Sequence, residues 1–411
     1  MAHSSAARAD AADTSLAARY RATRALSEQL AAPLSAEDQT IQSMPDASPT
    51  KWHLAHTTWF FLQLVLVPRA DYRQFNPRLG EIFNSYYLGL GTPFTRAERG
   101  VLSRPGIDEV MAYRAHVDAA MEAALEEDGE HAKWIELGIN HEQQHQELIL
   151  TDIKHALSRN PLLPAYRSAA PAAVESAAPL RWIDHPGGIV GVGHDGNGFA
   201  FDNEGPKHDV LLRPFSLASR LVTNGEYRAF IEDGGYRRPE FWLSDGWAMA
   251  QREGWTAPLY WLPDNKVFTL RGIETLNSEE PVSHVSFFEA SAYAAWAGAR
   301  LPTEFEWEAA ARAHPGHGNF LHADVLHPRA SASQMFGEVW QWTRSSYDPY
   351  PGFRTFEGVA TEYNGKFMVG QMVLRGGSCV TPQGHFRPTY RNFFPPSARW
   401  QFSGILLARD V

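Results

Sequence analysis

The feature that most constrains the fold of this chain is a change of sequence character near residue 160. From about Thr14 to Ala156 the pattern is helical, and the stretches 16–30, 107–127 and 132–157 contain no Pro and at most one Gly. Long helices joined by short connections predict an antiparallel bundle. After Arg181, short apolar runs alternate with Gly, Pro, Asn and Asp, and this pattern predicts a loop-rich α+β domain.

An Ala- and Pro-rich stretch over residues 161–180 separates the two halves. Low-complexity composition of this kind is typical of an interdomain linker. We therefore expect a helical domain over residues 14–160 and a second domain over residues 181–411. A total of 411 residues is also long for a single hydrophobic core.

Charge and composition exclude several classes of partner. The formal net charge is −10 and there is no long Lys/Arg run, so we expect no binding to nucleic acid or to an anionic membrane. The longest apolar run, residues 59–67, is too short to span a bilayer and fits a buried helix. The Ala-rich segment 1–18 carries charges where a signal peptide needs an apolar core, which predicts a cytoplasmic protein acting on small molecules.

The single cysteine, Cys379, restricts the kind of metal site that the chain can build. One thiol excludes an internal disulfide and a site with several thiolate ligands. Any metal must therefore be held by histidine and carboxylate side chains.

Two histidines four residues apart, His141 and His145, are expected on one face of a helix. With Glu142 they also satisfy the zinc-peptidase pattern H-E-x-x-H. A metzincin would continue with Gly and His where this chain has Leu148 and Thr151. A thermolysin-like enzyme needs a downstream helical Glu, and the next one after Glu147 lies in the linker, so the peptidase interpretation is disfavoured.

A third imidazole lies on an early helix of the predicted bundle, in the segment 51–59. Bundle metal sites draw their ligands from facing helices, so we predict His56 as the third ligand. His53 is an alternative, because the spacing of the residues does not distinguish it from His56. Three neutral imidazoles suit Fe(II) or Zn(II), and less well Mn(II) or Co(II). The adjacent Tyr86 and Tyr87 offer phenolic proton donors, although a tyrosine pair is also common in ordinary packing.

Four motifs of the second half resemble those of formylglycine-generating, or sulfatase-modifying, domains, which have a C-type-lectin-like fold; they lie at residues 221–227, 299–308, 336–343 and 374–378. The first half resembles a DinB-type four-helix bundle. Both halves in one chain, with the segment Leu54-Ala55-His56 and the pair His141 and His145, are similar to the ergothioneine-biosynthesis sulfoxide synthases of the EgtB type. The resemblance runs from about Thr40 to Asp410. A formylglycine-generating oxidase needs paired cysteines, so the lone Cys379 argues against that activity.

The resemblance implies a nonheme Fe(II) enzyme that uses O2 to couple a thiol to C2 of the imidazole of hercynine, the trimethylated betaine of histidine. The product is a sulfoxide. The implied iron ligands are His56, His141 and His145. Residues 390–396 resemble the subgroup that uses free cysteine, and the implied hercynine-binding residues are Gln144, Asn392, Phe393, Phe394 and Asp46.

The resemblance also implies roles in binding and activating the donor. Arg96 and Arg99, spaced i, i+3, would bind the donor carboxylate with forked hydrogen bonds, unless they are simply solvated. One tyrosine of the pair would donate a proton that directs the reaction to the sulfoxide; we favour Tyr87 and leave Tyr86 open.

The chain departs from the subgroup at residues 88–95, at Val369-Gly370 and at Leu406, and the first of these regions is expected to shape the donor pocket. The donor is therefore cysteine, a related thiol or, as in the related selenoneine synthases, a selenosugar. A zinc hydrolase and a non-catalytic binding protein are the remaining alternatives.

Overall fold

The computed structural model describes residues 14–127, 129, 131–168, 176–314, 316–321, 325–330 and 335–411. Residues 1–13 of the predicted N-terminal lead-in and the centre of the predicted linker, residues 169–175, lie outside the described residues. The helices of the first half are α1 (Leu16–Ala31), α2 (Thr50–Phe61), α3 (Gly80–Phe83), α4 (Ile107–Glu126) and α5 (Ala132–Ser158). The three long helices predicted from the sequence are confirmed to within one residue at each end.

The central helix of the bundle is α2, which packs between α4 and α5 while α1 packs against α5. All twelve residues of α2 are buried, which explains why its large apolar side chains are not confined to one face of the helix. The apolar run that begins in α2 continues as a π-helical segment, Leu62–Leu66. This run is therefore helical, as predicted, with a wider turn at its end, and it is buried except for the partly exposed Gln63 and the exposed Val67. Among the described residues no helix is long and apolar enough to cross a membrane.

A buried charge cluster joins three helices of the bundle. Glu142 of α5 accepts hydrogen bonds from Arg24 of α1 at 2.8 Å and from Arg114 of α4 at 3.2 Å. Burial alone would raise the pKa of Glu142, but the two guanidinium groups lower it below its ordinary value. Breaking such a pair leaves a buried charge without compensation, so the cluster fixes the relative positions of α1, α4 and α5.

The second half is an α+β domain with short strands, as the sequence predicts. Its helices are α6 (Asn224–Glu232), α7 (Ser244–Glu253), α8 (Phe287–Trp296) and α9 (Glu304–Ala311). Its strands are β1 (Trp182–His185), β2 (Gly188–Val192), β3 (His208–Leu212), β4 (Phe215–Ala218), β5 (Trp261–Leu262), β6 (Lys266–Thr269), β7 (Gly272–Thr275), β8 (Trp340–Ser346), β9 (Met372–Arg375), β10 (Asn392–Phe394), β11 (Ser403–Gly404) and β12 (Ala408–Asp410). They form sheets of order β1-β4-β12, β10-β9-β8-β11, β2-β3 and β5-β6-β7.

The sheet β10-β9-β8-β11 brings the second half against α5. Glu147 of α5 is buried and accepts hydrogen bonds from three donors of the second half: Trp340 Nε1 at 2.7 Å, Ser378 Oγ at 2.7 Å and Thr381 Oγ1 at 2.8 Å. Burial raises the pKa of Glu147 despite these donors. One helix therefore carries both the histidine pair and a buried carboxylate that binds the second half.

Candidate metal centre

Three buried histidines meet between α2 and α5. His56 comes from α2, and His141 and His145 come from adjacent turns of α5; one ring nitrogen of each lies within 4.8 Å of the others. The two helices approach closely because Gly138 has no side chain: a Cβ there would lie 2.3 Å from Cε1 of Phe61. The predicted set of three imidazoles is thus brought together by close packing of the two helices.

Hydrogen bonds fix the orientation of His56 and separate it from its alternative, His53. His56 Nδ1 donates to the carbonyl of Phe83 at 2.7 Å, which leaves Nε2 for a metal. Both ring nitrogens of His53 are engaged, Nδ1 with His145 Nδ1 at 2.8 Å and Nε2 with Asp152 Oδ2 at 3.1 Å. His53 therefore contacts a member of the cluster, and it is not part of the group of three histidines whose ring nitrogens lie close enough together to hold a metal.

The environment of the cluster keeps its imidazoles neutral. Burial lowers the pKa of His56, His141 and His145 well below the ordinary value, and the neighbouring imidazoles lower each pKa further. The ring of Phe60 stacks on His141 with a centroid distance of 3.8 Å. Three neutral, buried ring nitrogens with no carboxylate among them fit a divalent transition metal such as Fe(II) or Zn(II).

The cluster lies on the wall of a cavity of about 450 Å³ between the two halves of the chain. The predicted site residues on this wall are His56, Tyr86, Arg96, Arg99, His141, Gln144, His145, Asn392, Phe393 and Phe394. Asp46 and Tyr87 are not among the lining residues. Asp46 is exposed, and its backbone carbonyl accepts a hydrogen bond from Arg96. Tyr87 is 2% exposed and lies behind Tyr86, with ring centroids 4.6 Å apart.

Gln144 is held between two tyrosines of the second half. Its Oε1 accepts from the hydroxyl of Tyr363 at 2.6 Å, and its Nε2 donates to the hydroxyl of Tyr390 at 2.7 Å. Both polar atoms of the Gln144 amide are therefore engaged by hydroxyl groups of the second half. Sequence reasoning assigned no role to either tyrosine. Tyr390 is the first residue of the motif at 390–396, whereas Tyr363 lies in a loop without a recognisable pattern.

Another part of the cavity wall contains Arg99, which is 4% exposed. Its Nη1 donates to Ser48 Oγ at 2.8 Å, and its guanidinium lies 3.4 Å from the ring centroid of Trp52. Burial and the neighbouring Arg96 lower the pKa of Arg99 to about 9. Gln401, which sequence reasoning missed, is buried on the same wall, and neither polar atom of its amide is hydrogen-bonded within the described part of the chain.

The arrangement does not support a zinc peptidase. A peptidase of this pattern uses the Glu of H-E-x-x-H as general base next to the metal. Here Glu142 is absent from the cavity wall and is held in the bundle core by Arg24 and Arg114. Its carboxylate is therefore unavailable to a substrate.

Comparison with family models gives one match for each half. The DinB superfamily model matches residues 19–149. The model of the sulfatase-modifying factor enzyme 1-like domain matches residues 171–333 and 328–411. These matches confirm the fold class predicted from the sequence.

The chain is similar along most of its length to proteins named hercynine oxygenase. The protein from Mycolicibacterium thermoresistibile is 34% identical over 404 residues, covering 89% of this chain and 88% of the relative. The protein from Mycobacterium tuberculosis is 36% identical, covering 89% and 92%. The protein from Mycolicibacterium smegmatis is 38% identical over 309 residues, covering 67% and 71%. With this similarity, both domain matches and the histidine cluster, the chain belongs to the hercynine oxygenase family and is an oxidoreductase.

Proposed function

We propose that this enzyme uses Fe(II) and O2 to join cysteine, or a related thiol, to C2 of the hercynine imidazole and releases hercynylcysteine sulfoxide. The observation that carries the proposal is the cluster of neutral histidines on the wall of a cavity formed by both domains. Fe(II) held by His56, His141 and His145 would supply binding and reduction of O2. The reaction balances: one C–S bond forms, the C2–H and S–H hydrogens leave, one oxygen atom joins sulfur and the other becomes water.

Aromatic rings of the second domain support a hercynine site. A trimethylammonium group cannot accept or donate a hydrogen bond, and aromatic faces are the surfaces that stabilise it. Phe367, Phe393 and Phe394 line the cavity, and Tyr347 stacks on Phe393 with centroids 4.0 Å apart. We assign the imidazole to Gln144 and the hercynine pocket to Asn392 with these rings. Asp46 is left out of this site because its side chain is exposed away from the cavity wall.

The buried Arg99 supports a donor that carries a carboxylate. A guanidinium taken out of water costs free energy unless an anion compensates it. Arg99 forms no ion pair with a carboxylate of the described residues, so a donor carboxylate would provide that compensation through charge-assisted hydrogen bonds. We assign the carboxylate to Arg99, with Arg96 beside it.

A second candidate donor is a selenosugar, as in the selenoneine synthases. The observation in its favour is the altered segment 88–95, whose helical turn at Leu88–Leu90 is exposed near the tyrosine pair. A selenosugar has no carboxylate for Arg99. The buried arginine therefore makes an amino-acid donor the better proposal.

The donor is tested by supplying the anaerobic Fe(II) enzyme with hercynine and, in parallel, cysteine, γ-glutamylcysteine or a selenosugar before O2 is admitted. Mass spectrometry then identifies the products. We expect the mass of hercynylcysteine sulfoxide with cysteine. A product formed only with the selenosugar would show that the selenosugar, and not cysteine, is the donor. The absence of a hercynine-derived product with every donor would refute the proposed function.

The metal centre is tested by His141→Ala. This change removes one of three ligand nitrogens, so we expect loss of stoichiometric Fe(II) and of O2 uptake, measured by metal analysis and an oxygen electrode. His155→Ala, which removes an imidazole from the same helix outside the cavity wall, is the matched control and should retain both. Full iron content and turnover in His141→Ala would contradict the ligand assignment.

A further inference from the structure

A row of hydrogen bonds leads from a carboxylate to one of the candidate metal ligands. Asp152 Oδ2 accepts from the backbone N–H of Ser48 at 2.8 Å and lies 3.1 Å from Nε2 of His53. The other nitrogen of that ring, Nδ1, lies 2.8 Å from Nδ1 of His145. Asp152 and His53 are 4% and 2% exposed, so bulk water does not compete for these contacts.

The chemistry of the groups fixes the direction of the row. A carboxylate only accepts, so the nitrogen of His53 that faces Asp152 carries a hydrogen. Two facing nitrogens need one hydrogen between them, and a His145 that ligates a metal through Nε2 must carry its own hydrogen on Nδ1. His53 Nδ1 is then the acceptor, and the whole row is satisfied with one hydrogen at each contact.

We propose that His53 and Asp152 are positioning residues that hold the hydrogen of His145 on Nδ1 and so present its Nε2 to the metal. The inference rests on the proposed metal centre and adds two residues to it. The helices that supply the ligands also supply their support: His53 lies on α2 close to His56, and Asp152 lies on α5 two turns after His145. A carboxylate behind a ligating histidine is a recognised way to set its tautomer; here a second imidazole stands between them.

Asp152→Leu is the sharpest variant, because it removes the oxygen that accepts from both Ser48 and His53 and keeps the number and branching of the side-chain heavy atoms. Asp152→Asn is the conservative comparison, because its amide oxygen can take the place of Oδ2 and keep both bonds. In Asp152→Leu nothing accepts from His53 Nε2, so no contact holds the hydrogen of His53 on that nitrogen. His53 is free to carry its hydrogen on Nδ1 and to donate it to His145, which places the hydrogen of His145 on Nε2, the atom that should bind the metal. We expect metal affinity to fall about 10- to 100-fold, the usual range for loss of such support.

The experiment titrates metal-free full-length protein with Co(II) under anaerobic conditions and follows the d–d absorption bands. His53→Gln retains an acceptor for His145 Nδ1 and should keep more affinity than His53→Leu, which has none. Asp118→Asn is the matched control, because it alters a carboxylate of the same bundle that binds Tyr20 and Arg24 and contacts none of these histidines.

Three results together support the proposal: weaker Co(II) binding with shifted bands in Asp152→Leu and His53→Leu, partial rescue in Asp152→Asn and His53→Gln, and wild-type binding in Asp118→Asn. Wild-type affinity and bands in folded Asp152→Leu overturn it and leave the three-histidine centre intact. Equal weakening in Asp118→Asn also overturns it, because the effect is then one of general stability. Failure of the wild-type protein to bind Co(II) refutes the metal centre itself. Thermal unfolding of each metal-free protein confirms that it is folded.

Discussion

The two adjacent tyrosines, Tyr86 and Tyr87, are placed differently relative to the cavity. Tyr86 lies on its wall, whereas Tyr87 is buried behind it and donates to the Tyr86 hydroxyl at 3.4 Å. Burial raises the pKa of Tyr86 to about 12, so its phenol is protonated at neutral pH and available as a proton donor. Of the two tyrosines that the family resemblance left open as proton donor, with Tyr87 favoured, these contacts favour Tyr86.

We predict that Tyr86→Phe diverts turnover from the sulfoxide towards cysteine sulfinate, because the cavity loses its proton donor. Tyr87→Phe removes only a hydroxyl behind the wall and should change the product ratio less. Both ratios are read by liquid chromatography with mass detection. A larger change in Tyr87→Phe would return the role to that residue.

The candidate site could be predicted from sequence where a short motif carries the chemistry. Helical spacing places His141 and His145 on one face, and the family motif selects His56. Spacing does not separate His56 from His53, because only the packed structure shows that both nitrogens of His53 are engaged. Tyr363 and Gln401 reach the cavity from distant loops, and local pattern carries no information about such contacts.

Among the larger elements, the loop that carries the tyrosines is held by a segment of the second domain. Glu362 Oε1 accepts from the backbone N–H of Gly89 at 2.9 Å, and Lys366 Nζ donates to the carbonyl of Tyr86. The two side chains also pair with each other at 2.7 Å. These contacts hold the loop, and with it Tyr86, at the edge of the cavity.

We predict that Glu362→Gln loosens this loop, since the charge-assisted bond to Gly89 and the pairing with Lys366 are both weakened. If these weakened contacts cost the closed loop about 1 kcal/mol of stability, the fraction of molecules in which the loop is open rises roughly fivefold. Amide hydrogen exchange across 86–91 should rise and the sulfoxide fraction should fall. Glu357→Gln alters an exposed carboxylate of the same segment and serves as the control. Unchanged exchange in Glu362→Gln would mean that other contacts hold the loop.

The long helix α5 also buries Lys154 against the second domain. Its Nζ lies 2.8 Å from His284 Nε2 and 4.5 Å from the ring centroid of Phe402. Burial lowers the pKa of Lys154 to about 7 from an ordinary value of 10.5. Between those values the unfolded chain binds more protons than the folded one, so this lysine makes stability increase as pH rises through that range.

We predict that Lys154→Met is more stable than the wild type at neutral pH and that the difference shrinks as pH rises towards 10. The methionine keeps the length of the side chain and removes the charge that burial disfavours. Denaturant unfolding at several pH values measures both effects. A constant difference across this range would show that Lys154 is not the group responsible.

The elements themselves were predictable to different degrees. The helices α1, α4 and α5 follow directly from sequence because each is long and free of Pro. The strands of the second domain are two to seven residues long. Over so few positions, the alternation of apolar and polar residues that marks a strand cannot be recognised. The π-helical segment after α2 has no distinguishing residue, so only the packed structure reveals it.

In the whole molecule, neither domain forms the cavity alone. The bundle contributes the histidines and Arg99, and the second domain contributes Tyr363, Tyr390 and the segment 392–394. Glu147 of α5, held by three donors of the second domain, fixes one domain on the other. We propose that the division lies within 161–180, since α5 ends at Ser158 and β1 begins at Trp182.

The most direct test of the central claim is the mass of the product formed from hercynine and cysteine under ¹⁸O₂ in ordinary water. The account predicts an Fe(II)-dependent sulfoxide that is two mass units heavier than the product made under ¹⁶O₂, because one atom of O2 joins sulfur. A product that forms without O2, or whose oxygen comes only from water, would contradict it.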